Sequence, residues 1–340
     1  MPRNLQRALI GAIIALATTA SAVAQQGPAV LRLGTFIPPT APFIKNGLEH
    51  WINAVNADAE GTIKIELFAG GSLMKHPDQQ LRMVLDNVAQ IGFLPNNTAP
   101  GQFPDDAVFE LPLGPRNAHE ASVAAWKLYE KGLLRGYQDV KVLGFLANGP
   151  ALLQTSFPVK RMEDVAGRKI RTQTEAQIGM IRVLGGTPIG SIPVTAAAES
   201  ISRRLIDGTV SGWAAWAAFR LDKVATHHVE LPMGYAILPL IMNKTVWEGL
   251  PPKAKAAVEK HSYLAASTLF GKVDTGVADA VRAKAKEGGG NDIVILADAE
   301  EARWRSALTA VIEDWRKSHP NGNALYQALE TALAGTRGVR

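Results

Sequence analysis

The chain has 340 residues, a formal charge of +5, 20 % charged residues and no cysteine. That length exceeds what one hydrophobic core usually serves, so two lobes are expected, and the lack of cysteine excludes a disulfide framework, a thiol nucleophile, a thiolate metal site and a lipid-anchoring cysteine behind a leader. Lysine and arginine are interspersed with aspartate and glutamate rather than gathered with aromatics on one element, which argues against a nucleic-acid partner.

In chain order, Arg3 and Arg7 precede the apolar run LIGAIIALA at residues 9–17. A run of this length suits a secretory leader and falls far short of the ~20 residues that cross a bilayer. Ala22 and Ala24 supply the small side chains that signal peptidase accepts, so 1–24 reads as a signal peptide and the mature chain is expected in the periplasm. No later apolar stretch reaches 18 residues without a charge or a helix breaker, and no membrane insertion is expected.

Residues 29–33 alternate as a strand, 43–55 carry apolar residues at helical spacing, and 63–68 (IKIELF) alternate again, which makes a βαβ unit. An amphipathic stretch at 79–88, a strand at 90–94, a helix at 120–131 and a strand at 140–146 continue the alternation. After Asn148-Gly149-Pro150 it starts afresh, with strands at 169–172 and 187–189 and helices at 178–184 and 196–205. Open sheets covered by helices follow from such a pattern. The segments 148–154 and 230–242 read as the chain crossings between two lobes, a hinge of paired strands. Lobe one is expected to comprise 28–149 with about 236–280, and lobe two 150–235 with about 281–330. The last third reads as helices at 253–270, 273–287 and 299–318, interrupted by Gly288 to Gly290.

The chain carries no GxSxG, HExxH or GxxxxGK[ST] signature. GGTPIG at 185–190 has the wrong spacing for a dinucleotide fingerprint, with Pro188 where a helix would begin. His227 and His228 are adjacent, so their side chains diverge and neither a strand nor a helix aims them at one metal. Neither a catalytic residue nor a metal or cofactor site is expected.

The segment 160–212 resembles the substrate-binding proteins of tripartite ATP-independent periplasmic (TRAP) transporters in Gly167, Lys169, Ile170, Arg171, Leu184, Gly185, Pro188, Pro193, Asp207 and Gly208. FAGGSL at 68–73, VFELP at 108–112, NGP at 148–150, MNK at 242–244 and LPP at 250–252 extend the resemblance over the mature chain. It implies an α/β two-lobed periplasmic binding protein of the Venus-flytrap type, with a strand hinge and a helical C-terminal region. Such a protein captures a small carboxylate and delivers it to TRAP permease membrane subunits. The resemblance further implies that Arg171 grips the ligand carboxylate, a role suited to the planar donor fork of a guanidinium. Read without the resemblance, Arg171 is more simply explained by a surface ion pair with Glu175 or Glu199.

Many relatives carry a second ligand-contacting arginine just after the NGP-like turn and an asparagine three residues after the DG pair. This chain has Ala151 or Leu152 and Ser211 there, with Trp213, Trp216 and Phe219 following. An aromatic or apolar monocarboxylate is therefore the expected ligand. Trp213 and Ser211 are expected on the pocket wall and Trp216 and Phe219 in the core, while Phe36 and Asn96 are the candidates from the facing lobe and Tyr235 is a candidate near the second crossing. A sensing module for a signalling receptor, or a periplasmic enzyme acting on a carboxylate, are the alternatives.

Overall fold

The computed structural model describes residues 28–337; the expected signal peptide, 1–24, lies outside them. The strands are β1 (Ala29–Thr35), β2 (Ile63–Phe68), β3 (Ile91–Phe93), β4 (Val140–Asn148), β5 (Leu152–Thr155), β6 (Lys169–Arg171), β7 (Thr187–Ile189), β8 (Gly208–Ser211), β9 (His227–Val229), β10 (Ala236–Asn243) and β11 (Asp292–Val294). They form two sheets, ordered β2-β1-β3-β10-β4 and β11-β9-β5-β8-β6-β7. The protein is a mixed α/β structure of two lobes, one around each sheet.

Helices α1 (Glu49–Asp58), α2 (Gln80–Leu85) and α3 (Ala118–Glu130) serve the first sheet, whose β1 runs parallel to β2 and β3 as βαβ connections demand. Asn117 caps α3 by accepting the Glu120 amide. In the second lobe, α4 (Glu175–Val183) starts at Thr174, whose hydroxyl accepts the Gln177 amide, and α5 (Val194–Ser202) starts after Pro193. Next come α6 (Trp213–Ala218), α7 (Lys244–Gly249) and α8 (Pro252–His261), followed by α9 (Leu264–Glu287), α10 (Asp298–Ser318) and α11 (Gly322–Arg337). Among the described residues no helix is long and apolar enough to cross a membrane.

The chain passes between the sheets at the two segments read as crossings. β4 leaves the first sheet at Asn148 and β5 enters the second at Leu152; β9 leaves the second at Val229 and β10 re-enters the first at Ala236. The two passages are bonded to one another. Ala151 N donates to Gly234 O at 2.8 Å and Met233 N to Ala151 O at 2.8 Å, which continues the antiparallel pairing of β4 with β10 into that of β5 with β9.

A third element spans the lobes. Helix α9 packs on α3 and β4 of the first lobe and on α6 of the second. It differs from the two helices expected at 253–270 and 273–287: the break falls earlier, at Tyr263 with φ +67°, and the helix then runs unbroken through Gly271. A Cβ at Gly271 would lie 2.7 Å from His119 Cα, so this glycine is where α9 and α3 meet backbone to backbone rather than a helix stop. The final helix α11, beyond the expected helices, buries Leu325, Leu329 and Leu333 and packs on α3, where Arg337 Nε meets Glu120 Oε2 at 3.1 Å.

Gly234, in the second crossing, has φ +89°, and a Cβ there would stand 2.1 Å from the Glu110 carbonyl oxygen. Gly234→Ala should therefore cost about 2 kcal/mol or more, combining left-handed strain with a backbone clash. Gly61→Ala, at φ +80° in open space, should cost only the strain, about 1 kcal/mol. Equal melting temperatures for the two variants would contradict the close approach.

Candidate functional site

The site begins with a charge that the protein itself leaves unpaired. Arg171 ends β6 beside Thr209 of β8, and although it is an arginine it is only 2 % exposed. Its Nε donates to the Ile192 carbonyl at 2.7 Å and its Nη1 to Thr209 Oγ1 at 3.3 Å. No carboxylate among the described residues offsets the charge: burial alone lowers its pKa, to about 10, so it stays protonated at neutral pH. The surface ion pair with Glu175 or Glu199 does not form, and Glu199 pairs with Arg203 instead. A guanidinium held like this, with donors to spare, is a receptor for an anion.

Arg171 opens onto a chamber in the interlobe cleft that also touches Phe36, Pro95, Gln173 and Val194. Those four residues are shared with a deeper, largely apolar cavity between the sheets. Phe36 and Ile37 line it from the first lobe, Ser211, Ala214 and Phe219 from the second, and Asn148, Ala151 and Asp274 from the crossings and α9. The rings of Phe36 and Phe219 stack across the cleft, 6.1 Å apart and 3° from parallel, and Asn97 Nδ2 reaches Gln173 Oε1 at 3.4 Å. Among the described residues lining this inner cavity there is no lysine or arginine.

The six residues singled out from the sequence fall into two groups. Arg171, Phe36 and Ser211 border the cleft, and the buried Ser211 Oγ has no hydrogen-bond partner. Trp213, Asn96 and Tyr235 lie behind its walls. Trp213 packs against His228 at 4.3 Å and Trp216 at 5.3 Å and borders a separate hollow at the back of the crossings, next to Pro150 and Arg282. The expected division of the aromatics is thus exchanged, because the short turn of α6 aims Phe219 at the cleft and Trp213 at β9. Asn96 lines neither chamber of the cleft: its Nδ2 donates to Asp106 and Tyr137, and its buried Oδ1 has no hydrogen-bond partner. Tyr235 donates to the Pro115 carbonyl at 3.0 Å and braces Gly149 from the side away from the cavity.

Sequence reasoning missed Gln177, Phe219 and Asp274. Phe219 was visible but assigned to the core. Asp274 gave no signal, since one aspartate in an alanine-rich amphipathic helix reads as part of a solvated face. In the structure it is 1 % exposed, and its Oδ1 accepts from Asn148 Nδ2 at 2.8 Å.

Two lobes, one around each sheet, joined by paired crossings with a cleft between them, are the architecture of a two-lobed solute-binding protein. Residues 33–318 match the bacterial extracellular solute-binding protein family 7, DctP, and the chain belongs to that family, the solute-binding proteins of TRAP transporters. Over 322 residues it is 23 % identical to the C4-dicarboxylate-binding periplasmic protein DctP of Rhodobacter capsulatus, covering 92 % of this chain and 94 % of that one. A TRAP solute-binding protein from an unidentified marine microbe, specific for aromatic acid ligands and co-crystallized with 3-hydroxybenzoate, superposes with a TM-score of 0.85 at 27 % identity over 91 % of this chain and 99 % of that one. One from Rhodoferax ferrireducens, with copurified benzoate, gives 0.84 at 25 % identity over 92 % and 99 %.

Three carboxyls near the cleft titrate far from their ordinary range. Burial pushes Asp106 and Asp274 up to about 7, and Glu110, also facing Asp106, up to about 8. Each holds its proton more tightly folded than unfolded, so stability is greatest with the proton on and declines as pH rises through 7 to 8. Burial lowers His228 to about 4 and also lowers His119, an opposite effect that sets in as pH falls toward 6.5. Between pH 8.5 and 6.5 the three carboxyls outweigh the histidines, and the ligand-free protein should melt at least ~2 °C higher at pH 6.5, with about 1 kcal/mol from Asp274. Asp274→Asn should make that slope shallower by Asp274's share, Asp106 and Glu110 supplying the rest; an unchanged slope would show that Asp274 is already ionised at neutral pH.

Proposed function

We propose that this protein is the periplasmic receptor of a TRAP transporter, that its ligand is an aromatic or otherwise apolar monocarboxylate, and that the loaded form delivers the ligand to the membrane permease. The observation carrying this reading is Arg171, a buried cation for which the fold supplies no anion. Keeping a guanidinium out of water without a partner is unfavourable, and a carboxylate arriving in the cleft relieves it with two charge-assisted hydrogen bonds. The remainder of the ligand then meets the stacked Phe36 and Phe219 and the alanines of α6, surfaces that favour a flat apolar body.

A dicarboxylate fits less well. Its second charge would enter a cavity lined by Ala151 and Ser211, where many relatives present an arginine and an asparagine, and there it would find no cation. The aromatic acids bound by the two similar solved proteins support this choice of class. In the proposed cycle the lobes separate about the paired crossings, residues 28–149 with about 236–280 moving against 150–235 with about 281–318. The last helix travels with α3, on which it packs. Closure brings Phe36 over Phe219 and Asn97 to Gln173, and the closed surface is what the permease would recognise.

A thermal-shift screen of organic acids tests the ligand class. A ligand at 100 times its Kd should add ~2.7 kcal/mol to the stability, and benzoate-like acids should outrank succinate and sugar acids. Arg171→Met should weaken benzoate binding by ~100-fold or more, as expected when a buried charge partner is removed. The ligand-free variant should melt no lower than the parent protein, because an unpaired buried charge has been replaced by an apolar chain. Undiminished affinity would remove Arg171 from the site, and a lower melting point with intact binding would make it structural.

A further inference from the structure

The inner cavity is apolar except at its floor, where two polar groups have unused capacity. Asp274 faces the cavity from α9, almost wholly buried. Its Oδ1 accepts from Asn148 Nδ2 at 2.8 Å and its Oδ2 is approached only distantly, at 3.5 Å, by the Gly149 amide. A carboxylate has about four acceptor positions, so these two contacts leave part of its capacity unused in a side chain that lines the cavity. Ser211 Oγ, which lines the same cavity and is also buried, has no partner.

These groups stand at a set place relative to Arg171. Thr209, which receives the Arg171 guanidinium, and Ser211 are alternate residues of β8, so their side chains share a face about 7 Å apart. The next residue, Gly212, abuts Gly149 and Pro150, with its Cβ position 3.2 Å from the Pro150 carbonyl, and Gly149 is the residue whose amide points at Asp274. Arg171 thus stands in the outer chamber, and Ser211 and Asp274 line the inner apolar cavity that adjoins it.

We propose that Asp274, oriented by Asn148 and assisted by Ser211, is a specificity-determining acceptor that selects aromatic monocarboxylates bearing a hydroxyl remote from the carboxylate and rejects a second carboxylate at that position. This rests on the aromatic-acid reading of the cleft. A ring hydroxyl donates to Asp274 or Ser211, whereas an anion there meets a buried acid with no cation among the lining residues. Because Asp274 also holds Asn148 and Gly149, the hydroxyl contacts the hinge itself, so that occupancy and crossing geometry are read by one side chain.

Isothermal titration calorimetry at pH 8 with benzoate, 3-hydroxybenzoate, 4-hydroxybenzoate and terephthalate tests the proposal through ratios of Kd. One hydroxybenzoate should bind about tenfold or more tighter than benzoate, and terephthalate about tenfold or more weaker. In Ser211→Ala and in Asp274→Asn the hydroxyl advantage should shrink to about threefold or less. Should Asp274→Asn fail to fold, Ser211→Ala decides alone, since it breaks no described hydrogen bond. Benzoate binding without hydroxyl preference, or a preference that survives both substitutions, overturns the acceptor and leaves the aromatic-acid reading intact. Failure of every aromatic acid to bind overturns both.

Discussion

Ala151 is bonded through both its amide and its carbonyl to the returning strand at Gly234 and Met233, and those bonds hold the two chain crossings side by side. They set the separation of the sheets at the base of the cleft while leaving the mouth without a covalent or backbone tie. Across the mouth, Phe36 stacks on Phe219 and Asn97 reaches Gln173. In the proposed receptor cycle the energy separating open from closed must stay within a few kcal/mol for a small ligand to decide it. Helix α9 reinforces the floor by running past both lobes and presenting Asp274 to the first crossing.

The electrostatics of the cleft follow from that geometry. The cleft region buries one ionisable group of each kind, Arg171 in the second lobe and Asp274 at the hinge, both almost fully out of solvent. The cation keeps its proton despite desolvation and the acid titrates near neutrality. In the proposed cycle each is a local cost that a suitable ligand would remove, and binding would favour closure by that difference. The nearby Asp105 shows the contrast: it too is buried, but Arg135 grips it through two nitrogens and holds it below the usual carboxylate range.

Much of this was legible in the sequence because it depends on local chemistry. Alternation in IKIELF, the apolar periodicity of α3 and the restart of the pattern after Asn148-Gly149-Pro150 are read by neighbouring residues, and so are the two sheets and both crossings that they foretell. Arg171 was legible through the residues around it. The length of α9 was not, because a glycine inside a helix reads as a stop unless one knows that α3 lies against it. Trp213 and Phe219 could not be told apart either: on a six-residue helix six positions separate them, and which faces the cleft is decided by what α6 packs on.

The sequence by itself determined the α/β alternation, the two-lobed plan and the family. Those properties are written in periodicity, turn residues and motif spacing, which act over a few residues of chain. Only the tertiary structure decided which side chains share the cavity, that Arg171 is buried without an acid, that Asn96 is consumed by Asp106 and Tyr137, and that Asp274 meets Asn148 across 126 positions. Burial and hydrogen-bond partnership belong to contacts between distant segments, and those contacts exist only once the two crossings have brought both sheets together.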